Sequence, residues 1–275
     1  MQSKGFLVKN WQGEKNVLAR YAELLSTVYG EITDPEHLYW KHHNSPLGKS
    51  LITYAESVDG NMVAARAFWP MYSQGAPVFQ PCDTVTHPDF QRRGLFSKLT
   101  LACLETLPDN SAIINFPNHN SFPGYLKLGW KLLEENLKVF GYRLPLGLKK
   151  IGDLKTALEG KLNSSQIDYL VWRFSSQSGK SYQFWLSDSH LVVSDGVQSG
   201  AINLTLKHKP FDTAPGKARG YVLPSEYSFI QGLLKGSVAL KCQSRTAFFL
   251  KSNAQFETIA KCVNNTQINL LMDTF

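Results

Sequence analysis

The chain has no run of about 18 apolar residues, the length needed to cross a bilayer. Its first residues, MQSKGFLVKNWQGEKN, are not expected to act as a signal peptide. A cytoplasmic protein without a membrane span is expected. Cysteine is scarce: the four residues Cys82, Cys103, Cys242 and Cys262 form no C-x-x-C pair. The seven histidines contain no H-x-x-x-H or H-E-x-x-H spacing, so no metal site is expected. Cys103 falls on the apolar stripe of a helix and reads as a small core residue. Acidic residues are outnumbered, 22 against 29 basic ones, which leaves a net charge of +7. That balance favours anionic partners. No long Lys/Arg run or aromatic-interleaved basic motif argues for nucleic acid, and a phosphate-bearing co-substrate accounts for the charge as well.

What is present is ordinary globular material. At 275 residues, 43% hydrophobic and 19% charged, the chain suits one large domain or two small ones. Val17, Leu18, Tyr21, Leu24, Leu25 and Val28 recur at helical spacing and predict a helix over 14–29. Asp34-Pro35 opens a new segment. Apolar strands are expected over 51–57 and 62–71, with Asp59-Gly60 as a two-residue hairpin signal between them. A third strand runs over 78–87 into the basic turn Gln91-Arg92-Arg93-Gly94. A helix over 95–107 follows, closed by Pro108-Asp109-Asn110. Residues 112–116 predict a short strand, and an Asn-rich turn leads to a helix that carries Tyr125 and stops at Gly129. Residues 131–143 read as a long strand and 144–162 as a linker.

The second half carries an echo of the first. Trp40-Lys41, a polar turn, Gly48-Lys49-Ser50 and a strand with Tyr54 match Trp172-Arg173, a polar turn, Gly179-Lys180-Ser181 and a strand with Phe184. A degenerate tandem repeat is the expectation. Residues 201–207 alternate as a half-buried strand does. A capped helix is expected over 225–235, and Ile268, Leu270 and Met272 suggest a closing strand. The expected division is a first domain over 1–143, the linker, and a second domain over 163–275.

The stretch 82–130 carries the chemistry. A strand end, a glycine turn and a helix start place main-chain N–H groups where a pyrophosphate could sit. Gln91, Gly94 and Phe96 resemble the Q/R-x-x-G-x-G/A signature of the GNAT superfamily of N-acetyltransferases. Asn118, Ser121, Tyr125, Lys127, Gly129 and Trp130 resemble that family's second signature, in the right order. The resemblance implies an α/β (α+β) fold: a mixed, mostly antiparallel sheet flanked by helices, with a second, smaller GNAT-like half. That half has no Q/R-x-x-G turn and no Asn…Tyr motif, so it is expected to have lost the cofactor site.

The resemblance also implies acetyl-CoA as co-substrate and a small-molecule amine, such as an amino sugar, as acceptor. Arg92, Arg93, Gly94, Leu95, Phe96 and Ser97 would hold the pyrophosphate. Thr84, Val85 and Thr86 would pair with the pantetheine arm as an added strand, and Asn118 would contact it. Tyr125 would be the general acid, since a phenol stays protonated at neutral pH and can donate to a departing thiolate. Two departures stand out. Phe96 occupies a position usually held by Gly or Ala, and Ile113 stands where some relatives carry a glutamate base. Asp83, Glu56, His87, a water chain and the terminal carboxylate of Phe275 remain open as bases. Other readings are a longer acyl donor or hydroxyl acceptor, a non-catalytic acyl-CoA-binding module, and a Fem-like aminoacyl transferase that uses tRNA.

Overall fold

A computed structural model describes residues 5–71, 77–115, 117, 121–132, 137–138, 148–188, 190–196, 199–204, 243–244 and 247–250. The chain divides into two compact units. The first holds residues 1–71, 75–132 and 247–256, and the second holds 72–74, 133–246 and 257–275.

In the first unit, β1 (Phe6–Asn10) leads into α1 (Lys15–Tyr29) and α2 (Pro35–His42). The expected stripe of α1 is the buried face: Val17, Leu18, Tyr21, Ala22, Leu24 and Leu25. Gly30 ends the helix in the left-handed region, where a residue without Cβ is unstrained, and its N–H reaches the Ser26 carbonyl. Asp34 accepts from the Glu36 N–H and Pro35 opens α2, so the Asp-Pro pair starts a helix.

β2 (Leu51–Ser57), β3 (Met62–Met71) and β4 (Val78–Thr86) form an antiparallel meander with β1, and every residue of β3 is buried. The β2–β3 connection differs from the two-residue turn expected. Ser57 donates to the Asn61 carbonyl and Gly60 donates to that of Ser57, closing a three-residue loop. A type I′ turn needs positive φ at two residues, and only Gly60 supplies it there.

α3 (Leu95–Thr106) follows, then β5 (Ala112–Asn115), α4 (Phe122–Lys127) and β6 (Lys131–Leu132). β7 (Leu137–Lys138) starts the second unit, so the described part of the long strand expected over 131–143 is two short pieces. Strand β5 runs parallel to β4, but only Val78 pairs with Ala112 and Phe79 with Ile113. Past those pairs the ladder ends, leaving the β5-side edge of the rest of β4 open among the described strands.

The second unit continues with β8 (Lys149–Ile151), α5 (Leu154–Leu158), α6 (Ser164–Arg173), β9 (Gln183–Leu186), β10 (His190–Ser194) and β11 (Ser199–Asn203). Strands β8 to β11 form a second antiparallel meander. This is the element order of β1 through β4, with two helices between the first and second strands. Trp40-Lys41 lies at the end of α2 and Trp172-Arg173 at the end of α6, each followed by a turn and a strand. The span expected as a linker holds β8 and α5. The Asn163 and Gln166 side chains form a reciprocal cap at the start of α6.

A short strand, β12 (Gln243–Ser244), pairs with β7. Next in the chain, β13 (Ala247–Leu250) inserts between β5 and β6 of the first sheet. A distant segment thus completes the first sheet, which runs β1-β2-β3-β4-β5-β13-β6. The helix expected over 225–235 and the strand at 268–272 lie outside the described residues.

Candidate active site

Register shifts twice in the sheet of the first unit, at Ala55/Glu56 between β2 and β3 and again between β3 and β4, where the candidate residues lie. Ala65 pairs with Val85 and Ala67 with Cys82, so β4 carries one extra residue opposite Arg66. This is a β-bulge, which bends a strand and re-aims its side chains. Asp83 sits in it with φ 47°, a left-handed conformation that a residue with a Cβ adopts only under restraint.

The restraint comes from α1 and α2. Lys41 Nζ lies 3.1 Å from Asp83 Oδ1 and 2.8 Å from Oδ2, and His42 Nε2 lies 2.9 Å from Oδ2. Two tyrosines of α1 take the carbonyls of the bulge: the Tyr21 hydroxyl donates to Asp83, and the Tyr29 hydroxyl donates to Thr84 at 2.6 Å. Burial alone would raise the Asp83 pKa, but the Lys41 ammonium and His42 outweigh it and hold the carboxyl well below its usual range. Burial lowers the His42 pKa, partly offset by Asp83, and His42 Nδ1 is 2.9 Å from Ser50 Oγ. Asp83 is therefore an ionised anchor and a poor proton acceptor. His42, Cys82 and Asp83 do bring ligand-type atoms within 4.8 Å of one another. The ammonium of Lys41 already neutralises that carboxylate, which disfavours a cation there.

On the α3 face of the sheet, Arg66 is fully buried and donates to the Tyr125 hydroxyl. Its guanidinium also lies 4.7 Å from the centre of the Phe96 ring, 5.1 Å from that of Tyr125 and 5.4 Å from that of Phe68. Nε and Nη1 have no hydrogen-bond partner, and no carboxylate pairs with Arg66 among the described residues. Tyr125 is buried against Phe96 and Trp130, with ring centres 5.4 and 4.5 Å away. Burial raises its pKa, and the charge of Arg66 acts in the opposite direction. The phenol is therefore protonated at neutral pH. Because Arg66 is the donor in their hydrogen bond, the phenolic proton is left for another acceptor.

Phe96, the departure noted in the sequence, turns inward and is half-buried in the same apolar cluster as Tyr125. Gly124 makes room for it: a Cβ there would stand 2.9 Å from the Phe96 ring.

The basic turn has an open backbone. Arg92 and Gly94 have φ of 60° and 74°, flanking Arg93, and Gly94 precedes α3 with no side-chain cap on the first turn. Alternating left-handed residues before a helix produce a concave run of N–H donors at the positive end of the helix dipole. Arg92 is exposed and makes no hydrogen bond or ion pair among the described residues, whereas Arg93 donates to the Asp89 carbonyl at 2.9 Å and lies over Phe90. Leu95 is buried in the core, and Ser97 is half-buried. Thr84, Val85 and Thr86 lie on the part of β4 that β5 leaves unpaired.

Asn118 and Phe275 lie outside the described residues. Among the other base candidates, Glu56 is bonded to Lys9 and Arg20, and the Lys9 hydrogen bond leads in lowering its pKa. His87 Nδ1 accepts from the Asp89 N–H at 3.3 Å. Lys41, His42 and Arg66 were not singled out in the sequence. For Arg66 a signal existed: it is the one charge in a ten-residue apolar strand. Nothing local marks Lys41 or His42, whose partner is 41 or more positions away.

No family model matches the chain, and no curated protein matches it. Solved structures do. A Pyrococcus horikoshii protein taken to be an acetyltransferase aligns over 94% of both chains, with a TM-score of 0.52 at 9% identity. A tandem GNAT protein from the clavulanic acid biosynthesis pathway aligns over 91% of this chain and 100% of its own, at 0.52 and 11%. A GCN5-related N-acetyltransferase from Kribbella flavida aligns over 89% of this chain and 72% of its own, at 0.50 and 16%. The chain has the fold of the GNAT superfamily, mixed α+β with a curled sheet flanked by helices.

Proposed function

We propose that the chain is an acyl-CoA-dependent N-acyltransferase that moves an acetyl group from acetyl-CoA to a primary amine of a small molecule. The observation that carries this reading is the convergence of three features within the first unit. An unpaired strand edge lies on β4, an uncapped helix start follows a left-handed turn, and a buried phenol stands on α4. The fold shared with acetyltransferases supports it.

The N–H groups from Arg92 to Ser97 and the dipole of α3 hold the pyrophosphate, and the exposed side chain of Arg92 adds charge. Thr84, Val85 and Thr86 pair with the pantetheine arm, and a β4 N–H polarises the thioester carbonyl. The amine nitrogen attacks the carbonyl carbon, the C–S bond breaks with its electron pair going to sulfur, and Tyr125 protonates the thiolate. The amide nitrogen releases a proton, which balances the one Tyr125 gives. Since Asp83 and Glu56 are locked in ion pairs, neither serves as base. An amine with a pKa near about 8 needs little help. A nucleotide-linked amino sugar, whose phosphates are anionic, suits the basic charge of the chain.

Calorimetric titration with acetyl-CoA, followed by an amine screen read by thiol release, tests the proposal. Gly94→Glu is expected to abolish donor binding by placing a carboxylate and a strained Cβ in the turn. Tyr125→Phe is expected to lower kcat by about 10²-fold with little change in donor affinity. A wild type that binds no acetyl-CoA would overturn the reading.

A further inference from the structure

A buried guanidinium without a counter-ion is expensive, and among the described residues Arg66 has none. Nε and Nη1 are sequestered without partners, while the third nitrogen is spent on the Tyr125 hydroxyl. The titratable groups that interact with this pair are Cys82 of β4 beside Tyr125, and Cys103 of α3 and Tyr21 of α1 beside Arg66. All three are neutral in their ordinary state near pH 7. The aromatic faces of Phe96, Phe68 and Tyr125 offset part of the desolvation, yet no anion in the described structure does so. A protein selected for stability alone would place an apolar side chain here, because replacing a buried charge with a well-packed hydrophobe of similar volume is often neutral or stabilising.

We infer that Arg66 is a positioning residue for acyl transfer: it fixes the Tyr125 hydroxyl and stabilises the phenolate that remains after Tyr125 has given its proton to the leaving thiolate. This rests on the acyltransferase reading above. The step balances in protons and charge. The O–H bond of Tyr125 breaks, an S–H bond forms on the thiol product, and the negative charge passes from sulfur to the phenolate beside Arg66. The proton lost by the acylated nitrogen then restores the phenol. Until the phenolate forms, no counter-ion faces the guanidinium among the described residues. The interaction is therefore stronger in the transition state than in the ground state, which is the condition for it to accelerate the reaction.

The tests are Arg66→Met and Arg66→Lys, each in wild type and in Tyr125→Phe, with melting temperature, kcat, KM and pH profile measured. Arg66→Met is expected to melt higher than wild type, since it removes an uncompensated buried charge. It should lower kcat at least tenfold, part of the roughly 10²- to 10⁴-fold supplied by a general acid, with little change in donor KM. In the Tyr125→Phe background the same substitution should cost almost nothing. The alkaline limb of the profile should move to higher pH in Arg66→Met, because a cation that favoured the phenolate is gone. Arg66→Lys, which keeps the charge but not the planar donor array, should fall between.

A lower melting temperature for Arg66→Met would overturn the inference and make Arg66 a structural residue. An equal loss of rate with and without the Tyr125 hydroxyl would overturn it while leaving the acyltransferase reading intact. A wild type that binds no acetyl-CoA and turns over no amine removes that reading, and this inference with it.

Discussion

The meander of β1 to β4 and that of β8 to β11 have the same order of strands and helices, yet only the first carries the proposed site. In the second, the pairings run without a register shift: Leu191 to Ile202, Val192 to Ala201, Val193 to Gly200. The strand there that corresponds to β3 buries Leu191, Val192, Val193 and Ser194, none of them charged. In the first, β3 buries Arg66, and the strand beside it bulges at Asp83. The second meander keeps the same strand order without either device among its described residues. What separates the halves is therefore a local departure from regular pairing, held open by residues that a purely structural sheet has no use for.

Removing the anchor should have the largest effect on stability. Asp83→Ala strips the partner from Lys41 and His42 and leaves the bulge without its restraint. A loss on the order of 3 kcal/mol is expected from chemical denaturation, since the fully buried His42 and the half-buried Lys41 each lose a charged hydrogen-bond partner. The same group sets an acid limit. Asp83 titrates lower folded than unfolded, so its contribution is present above the ordinary value of 3.8 and is lost as pH falls below it. His42 is also depressed, so the unfolded chain takes up the proton first, and stability declines as pH falls below 6.5. Asp83→Ala should flatten the lower part of the stability profile. If it costs nothing and leaves the profile unchanged, the bulge maintains itself and the contrast between the halves is only in sequence.

A smaller effect should follow from filling the space that admits Phe96. Gly124→Ala brings a Cβ to 2.9 Å from a ring already wedged against Arg66 and Tyr125. Overpacking of this kind costs about 1–3 kcal/mol. Phe96→Leu should restore most of it in the double variant. Rescue would show that Gly124 and Phe96 are a matched pair. Additive losses would assign Gly124 to some other constraint.

Much of the first sheet was legible because its signals are local. The expected limits of β2 and β3 coincide with those observed, and α1 buries its predicted stripe. The Asp-Gly hairpin was misjudged because turn type depends on the φ of both central residues, which the dipeptide alone does not fix. The site was only partly legible. Tyr125, Gly94 and Thr84, residues of the proposed site, lie in the single stretch 82–130 that carries both signatures, so a pattern suggests them. Lys41, His42 and Tyr21 act on Asp83 from a different part of the chain, and no spacing rule links residues 41 and 83. β13 is harder still. Four residues near the end of the chain enter the first sheet, and an apolar tetrad carries no mark of which sheet it joins.

The finest separation of the two halves comes from a matched pair of glycines. Gly94 and Gly160 share a φ of 74°, and at each a Cβ would meet nothing within 4 Å. One opens α3 in the first unit; the other follows α5 in the second. Alanine at either position pays only for the left-handed conformation, about 1–2 kcal/mol. The two variants should therefore lose similar stability in denaturant titrations. Donor binding should part them: Gly94→Ala perturbs the N–H array of the turn and should weaken acetyl-CoA several-fold, while Gly160→Ala should leave affinity unchanged. Equal weakening in both would mean that donor binding reports on global stability, and the turn would lose its claim to the pyrophosphate. A change confined to Gly94 would tie the same backbone conformation to function in one unit and to chain reversal alone in the other.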